Sequence, residues 1–491
     1  MNITFLNPPY LKNFSRPQRS PAVTKSGTLY YPMWLAYAAG LCQSEGYGVD
    51  LIDAPADDLS RRQTIDRIKK SENRLIVVET STPSILNDTA FCEELKTEVP
   101  GLFVVLVGTH VSALPRESLL LNASVDGVAA GEFDLTILEL AQALKTDTSP
   151  DTIRGLWLRR GQEIIHTGTR SPLADLDRLP FVSSIYQQFL DVKNYFNPNA
   201  LFPMVTITTS RGCPHRCIFC VYPQTMMGHQ LRYRSVTHVV DEMAYIKDHF
   251  PAVKAIFFED DTFPANKKRC IAICKEIVRR KIKISWTANA RVDLDLETMQ
   301  IMKKAGCRCL CVGFESGNQQ LLDNIRKGIT LEQSKAFMAA ARKTGMLIHG
   351  CFMVGLPGET METMEETLRF AISLQPDAIQ MYPVMVYPGT EAYSLYDRKH
   401  LIESKDFSSW LTPSGLHNTV IHTENLTARQ LVTFCDHARK KFYLRPSYFA
   451  YKLQQIVRNP AELKRTVKSA RTFFKYLVKG SDVGQLNRHQ Q

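Results

Sequence analysis

No apolar run in the 491-residue chain approaches the roughly 20 residues that a membrane-crossing helix needs. The first ten residues also lack the basic start and long hydrophobic stretch of a secretory leader. These absences lead us to expect a cytoplasmic protein, soluble or resting on the inner membrane face only at its surface. Low-complexity tracts and repeats of fixed period are missing as well, which argues against a solenoid and confines expected disorder to the chain ends. There is no Gly-rich dinucleotide fingerprint. Nor does cysteine usage suggest a disulfide framework: 12 cysteines scattered along so long a chain read as reduced thiols and metal ligands. What is present is ordinary globular material, 44% hydrophobic and 22% charged, in a length that predicts two large domains and a smaller appendage.

The formal charge of +11 is compatible with nucleic acid, anionic lipid or a phosphorylated substrate. Its location narrows the choice. Residues 440–479 interleave many Lys and Arg with Phe442, Tyr443, Tyr448, Phe449, Tyr451, Phe473, Phe474 and Tyr476. Such a composition suits basic helices lying on a membrane surface. It equally suits a solvated basic face packed through its aromatics.

Hydrophobic patterning divides the chain. Short apolar runs at 3–6, 49–52, 75–78, 103–107 and 125–129 alternate with helical patterns near 34–42, 65–68, 91–95 and 135–144. This predicts an α/β, doubly wound Rossmann-like domain over 1–145, whose ligands bind at the carboxyl ends of its strands. Residues 146–200 read as a linker with a small hairpin around 155–168. A second alternation has strands near 205–209, 255–258, 284–288, 310–314, 348–354 and 378–384, with helices between them. It predicts a partial (β/α)6 barrel over 201–390, with function at the strand ends. A helical, basic region, 391–491, closes the chain.

Just after the first strand of the second domain stands Thr208-Thr209-Ser210-Arg211-Gly212-Cys213-Pro214-His215-Arg216-Cys217-Ile218-Phe219-Cys220. Three thiolates in one loop suit a cubane of four irons and leave one iron without a protein ligand, where a cofactor can coordinate. A structural zinc would want four closed ligands, and none of matching spacing is evident, although His215 lies inside the loop. The spacing of Cys213, Cys217 and Cys220, with Phe219 before the last of them, resembles the signature of the radical S-adenosylmethionine superfamily. The resemblance implies a 4Fe–4S cluster held by these three residues, S-adenosylmethionine chelated at the open iron, and its reductive cleavage to a 5′-deoxyadenosyl radical. It also implies a reducing partner such as flavodoxin or ferredoxin. Glu259 and Asp260, ending the second strand, look like the family segment that seats the methionine amino group. Asn289 and Arg291 end the third strand, where they could meet the carboxylate or ribose. Glu315 and Ser316 end the fourth, and Gly355 follows the fifth, where glycine lets backbone approach the adenosine. Each acidic residue could equally cap the helix that follows it. Cys307, Cys309 and Cys311 alternate along one strand face and read as buried small side chains rather than a second cluster.

In the first domain the informative residues again follow strands: Asn7 and Pro8, Ser81 and Thr82, Gly108, Thr109 and His110, Gly131 and Glu132. Small and hydroxyl groups there admit a flat ligand, and a nucleotide or flavin could use the same geometry. Ahead of the cysteine triplet, the arrangement resembles the cobalamin-binding domain of radical S-adenosylmethionine enzymes that include methyltransferases and the anaerobic magnesium-protoporphyrin ester cyclase. These residues are therefore the expected cobalamin contacts. The Asp-x-His-x-x-Gly motif of the wider cobalamin family is missing after the first strand, so His110 is not assigned as a cobalt ligand.

Across the chain, Tyr31-Pro32-Met33-Trp34-Leu35-Ala36, Asp53-Ala54-Pro55, residues 80–84, Pro223-Gln224-Thr225, Gly317-Asn318-Gln319-Gln320 and Tyr387-Pro388-Gly389-Thr390 resemble the hopanoid-biosynthesis radical enzymes of cyclitol ether formation. That likeness implies remodelling of the sugar-derived headgroup of a hopanoid lipid, a small-molecule or lipid substrate that would suit a basic aromatic tail on the membrane. The competing enzymatic reading is a cobalamin-dependent C-methyltransferase, distinguished by release of S-adenosylhomocysteine beside 5′-deoxyadenosine. A non-enzymatic iron–sulfur or nucleic-acid-binding protein would leave the strand-end motifs unexplained, and no nucleic-acid partner is expected.

Overall fold

The computed structural model describes residues 1–458 together with Leu463 and Val467. Phe473, Phe474 and Tyr476 of the basic aromatic stretch lie outside the described residues. Among the described residues no helix is long and apolar enough to cross a membrane.

The first sheet contains β1 (Asn2–Asn7), β2 (Gly48–Asp53), β3 (Asn73–Glu79), β4 (Phe103–Val107) and β5 (Gly127–Ala129), all parallel, in the order β2-β1-β3-β4-β5. The Leu-Ile-Val-Val core of β3 and the Val-Val-Leu-Val core of β4 are buried throughout, as strands covered by helices on both faces must be. The strand order reverses between β1 and β3, and in such sheets the crevice beyond the carboxyl ends at that point takes the ligand. The hairpin expected around 155–168 is β6 (Leu156–Arg160) and β7 (Glu163–His166). It extends the same sheet, antiparallel, beyond β5.

The second sheet is parallel and has six strands, β8 (Met204–Ile207), β11 (Ala255–Phe258), β12 (Ser285–Ala290), β13 (Cys307–Glu315), β14 (Leu347–Val354) and β15 (Ala378–Pro383). Their order is β15-β14-β13-β12-β11-β8. The sheet runs from β15 to β8 without closing, which makes it a partial barrel. Between the sheets, the stretch 146–200 is less irregular than its prolines suggest, because it contains the helix Val182–Phe189. Eight residues carry too few turns for a clear period, and the helix is stabilised by packing. It sits on the helix Met33–Ser44 at Gly40, where a Cβ would come within 2.8 Å of Pro180 and 3.1 Å of Ile185.

A two-stranded clamp, β9 (Ser210–Arg211) and β10 (Arg232–Tyr233), brackets the cysteine loop. Its two arginines reach into the first domain. Arg211 pairs with Glu132 at 2.9 Å and Asp134 at 2.6 Å, while Arg232 pairs with Glu132 at 2.8 Å. Arg232 also donates to the carbonyls of Leu173 and Met227. All four charged side chains are buried, and Arg211 lies over the rings of Trp34 and Tyr37. Beyond β15 come the helices Glu391–Arg398, Ala428–Tyr443 and Pro446–Arg458. An irregular segment between the first two folds back onto the loop after β1, where Val23 N–H donates to Gly415 O and His417 bonds Ser20 O.

Removing one partner of a buried charge network strands the others in low dielectric. Glu132→Ala is therefore expected to cost about 3–5 kcal/mol, read as a lowered melting temperature. Glu132→Gln should retain part of the loss.

Candidate active site

The cysteine loop is held by its backbone. Gly212 has φ +85°, and a Cβ there would lie 2.3 Å from Gln230 O, so only glycine closes the clamp at this point. Cys213 N–H donates to Gly228 O and Cys220 N–H to Cys217 O, both at 3.3 Å. The Gln224 side-chain amide donates to the carbonyls of Cys217, Ile218 and Cys220 at 3.3, 3.1 and 2.9 Å. Its carbonyl oxygen accepts from Glu391 N–H at 2.9 Å. Gln224 thus fixes the turn that carries two of the thiols. Only its place in a quoted motif hinted at it in the sequence.

Burial and the neighbouring Asp261 push the Cys213 thiol up to about 11, and burial lifts Cys220 well above the ordinary thiol range. Thiols so placed stay protonated until a cation takes the proton's place. Among the described residues no three His, Cys, Asp or Glu side chains converge on a position for a single metal ion. Cys307 and Cys309 are buried, as read from the sequence, and Cys311 is half-buried. Three thiols on one braced loop without a fourth ligand fit a cubane with one open corner.

The strand ends gather around this loop. Asp260 accepts from Thr209 N–H at 3.1 Å, from the Thr209 hydroxyl at 2.8 Å and from Ser210. It thereby anchors the root of the cysteine loop. Asn289 donates to Asp260 O at 3.0 Å. Glu259 pairs with Arg19, which also reaches Asp261 at 3.0 Å and lies 5.7 Å over the Tyr222 ring. Burial raises Glu259 to about 7, with Arg19 opposing the rise. Arg291 donates to Lys327 O at 2.6 Å, and Glu315 accepts from Lys327 at 2.7 Å. Ser316 hydrogen-bonds Thr367 at 3.1 Å, and Phe219 is half-buried in the loop. Gly355 meets the C-terminal helix instead of an open cleft: a Cβ there would come within 2.9 Å of Leu431, and Tyr396 donates to its carbonyl. Arg19 and Lys327 were not singled out in the sequence. A loop arginine and a lysine after a short helix carry no local pattern, and only tertiary contacts reveal them.

At the edge of the first sheet, several expected contacts are occupied by protein partners. Asn7 donates to Asp53 at 2.7 Å and accepts from Arg16 at 2.6 Å, and Arg16 pairs with the fully buried Asp88. Ser81 and Ser84 hydroxyls bond at 2.8 Å. Glu132 is committed to Arg211 and Arg232. His110 lies within 3.1 Å of Thr82 Oγ1 and meets the Phe407 ring edge-on, and burial lowers it to about 3, so it is neutral. Pro8 is buried beside them, and Thr109 opens the helix Thr109–Ala113. Gly108, at φ +117°, would place a Cβ 2.4 Å from Thr80 O, so it joins the loops after β3 and β4. Gly131 N–H donates to Ser112.

Two buried polar atoms at the end of β3, Glu79 Oε2 and Thr80 Oγ1, have no hydrogen-bond partner among the described residues. Both sit at the strand-order reversal, and the charge of Glu79 is felt by Tyr222, which lines the cleft between the domains with Arg19, Trp34, Glu259 and Asp261. Unsatisfied groups at that edge fit the amide-bearing periphery of a cobalamin.

The Radical SAM superfamily profile matches residues 207–371, and the B12 binding domain profile matches residues 19–141. An uncharacterized methyltransferase of Pyrococcus horikoshii is 31% identical over 86% of this chain and 89% of its own length. The anaerobic magnesium-protoporphyrin IX monomethyl ester cyclase of Cereibacter sphaeroides is 26% identical over 92% of this chain and 72% of its own. Among solved structures, the radical S-adenosylmethionine methyltransferase TsrM of Kitasatospora setae superposes with TM-score 0.66 at 18% identity, covering 82% of this chain and 77% of that one. This last likeness is one of fold.

Burial lifts Glu79 to about 8, against 4.5 in an unfolded chain. Between those values the folded state binds the extra proton, so this group's contribution to stability falls as pH rises. In thermal melts of the cofactor-free chain, Glu79→Gln should therefore gain on the wild type from pH 5 to pH 8. A constant difference would show that Glu79 does not titrate in this window.

Proposed function

We propose that this chain, which belongs to the radical SAM superfamily and carries a B12-binding domain ahead of its second sheet, is a cobalamin-dependent C-methyltransferase. It is a radical SAM enzyme, and its cofactors are a 4Fe–4S cluster, S-adenosylmethionine and cobalamin. When bound, the cluster supplies the electron, S-adenosylmethionine the radical and the methyl group, and cobalamin the methyl carrier. In this reading Cys213, Cys217 and Cys220 hold the cluster, and Gln224 and Asp260 brace their loop. Glu259 and Asp261 hold the guanidinium of Arg19, and the same carboxylates can accept the α-ammonium of methionine. Arg291 faces the other side of the loop as a donor for a carboxylate or ribose.

One observation carries the methyltransferase reading over headgroup remodelling: Arg19, from the first domain, is paired at the strand ends beside the cysteine loop. The loop after β1 therefore meets the radical site across a cleft lined by both domains. A methyl carrier must face the substrate carbon, whereas a rearrangement needs no carrier. The relative from Pyrococcus horikoshii, named a methyltransferase, supports the same choice.

For the substrate, the motifs that resemble hopanoid-biosynthesis proteins make a hopanoid lipid the first class to test. A flavodoxin or ferredoxin is the reductant we infer. We also infer contact with the anionic cytoplasmic leaflet through the helix Pro446–Arg458. One face is tied to the chain by Tyr448, which donates to Asp377 O at 2.9 Å, and by Tyr451. The other exposes Phe449, Leu453 and Val457 at helical spacing, 57%, 64% and 73% accessible. The exposed Lys440 and Lys441 precede it, and the sequence that follows adds Lys464, Arg465 and Lys468. An apolar stripe among basic residues complements an anionic bilayer.

Anaerobic reconstitution with cobalamin, S-adenosylmethionine, a reductant and a hopanoid should release S-adenosylhomocysteine and 5′-deoxyadenosine together, with a product heavier by one methyl group. Alanine at Cys213, Cys217 or Cys220 should abolish 5′-deoxyadenosine. A rearranged, unmethylated product without S-adenosylhomocysteine would restore the headgroup reading. The full chain should pellet with phosphatidylglycerol vesicles and not with phosphatidylcholine. Glutamate at Phe449, Leu453 and Val457 together should abolish pelleting with melting unchanged; pelleting that persists, or a dimer that this variant dissolves, refutes the membrane contact.

A further inference from the structure

At the end of β13 the register to β14 slips between Gly313 and Glu315, and Glu315 takes φ +63°. That left-handed conformation is unfavourable for a residue with a side chain, and such slips re-aim side chains near functional sites. Here Glu315 is turned back over Gly313. A Cβ on Gly313 would lie 2.2 Å from Glu315 Oε1 and 2.8 Å from Lys327 Nζ, so the strand leaves room for an ion pair where a side chain would stand. Lys327 donates to Glu315 Oε1 at 2.7 Å, and both side chains are more than nine-tenths buried. A buried pair recovers little net stability, because desolvating two charges offsets their attraction. A slipped register and a strained residue thus go with the placing of a charge.

The charge is placed beside the cysteine loop. Lys327 follows the short helix Gln319–Asn324, where its N–H donates to Leu322 O at 2.9 Å. Ile325 O in the same turn accepts from Ile218 N–H at 3.2 Å, next to Cys217. Arg291 clasps the Lys327 carbonyl from the other side. Burial disfavours the ammonium, yet Glu315 and then Cys217 outweigh it and keep Lys327 charged. Glu315 and Lys327 act on Cys351 in opposite senses, and Glu315 also acts on Tyr382. Lys327 accordingly stands within electrostatic reach of Cys217.

We propose that Lys327 is a positioning residue that raises the reduction potential of the cluster, with Glu315 as the counter-charge that fixes it. Reduction adds negative charge to the cluster and its thiolates, and a fixed cation next to one thiolate stabilises the reduced form. The inference rests on Cys213, Cys217 and Cys220 holding the cluster.

The test is a redox titration of the anaerobically reconstituted full chain, followed by electron paramagnetic resonance without substrate. Lys327→Met should make the midpoint more negative, lowering the ratio of reduced to oxidised cluster at the wild-type midpoint about tenfold, which is about 59 mV for a one-electron couple. Glu315→Gln should move it the opposite way, and Lys327→Arg should restore the wild-type value. An unchanged midpoint in Lys327→Met with the cluster intact overturns the proposal. So does a shift of the same sign in both single variants, which would mark a loosened site. If Lys327→Met does not fold, Lys327→Gln removes the same charge, and an unchanged midpoint there overturns it equally. A wild-type chain that binds no cluster would refute the cysteine assignment instead.

Discussion

Glu132 lies buried between two arginines of another domain, and the rest of the site depends on that contact. Arg211 and Arg232 are the ends of the clamp around the cysteine loop, so their charges can be neutralised only if the first domain is seated against the second. Separating the domains would expose or strand four charges that have already lost their water. The joint is therefore specific in orientation as well as favourable. It holds the carboxyl edge of the first sheet and the strand ends of the second on either side of one cleft.

The loop after β1 uses that alignment. Arg16 stays with its own domain and forms the fully buried pair with Asp88, filling the root of the crevice at the strand reversal. Three residues later Arg19 crosses to Glu259 and Asp261. Short-range ionic contacts of this kind hold only while both sides are rigid. The stacked rings of Tyr31 and Tyr195, 3.9 Å apart, and the Tyr31 hydroxyl bonded to Met204 O at 2.7 Å supply that rigidity at the far end of the loop. Two cofactor edges that must cooperate are thus joined by one peptide segment.

Several groups expected to meet cofactor have protein partners and brace the frame around it. Asp260 holds the root of the cysteine loop, Asn7 holds Arg16, and Glu132 holds the domains. A carboxylate at a strand end can serve a ligand, a helix cap or a neighbouring arginine, and the linear pattern is the same in all three. The choice depends on which charge the fold brings within about 3 Å, the range of a hydrogen bond.

What the sequence determined by itself was local or periodic. The alternation of buried strands with helices set the two parallel sheets, since each period follows from backbone geometry. Three cysteines within one loop pointed to a cluster because covalent spacing alone keeps thiols so near together. The helix Val182–Phe189, the hairpin's attachment to the first sheet, and the roles of Arg19, Gln224 and Lys327 were decided only by tertiary structure. Their partners lie from a few to more than two hundred residues away in the chain, and a side chain's charge is given meaning by what stands opposite it in space, which no spacing along the backbone encodes.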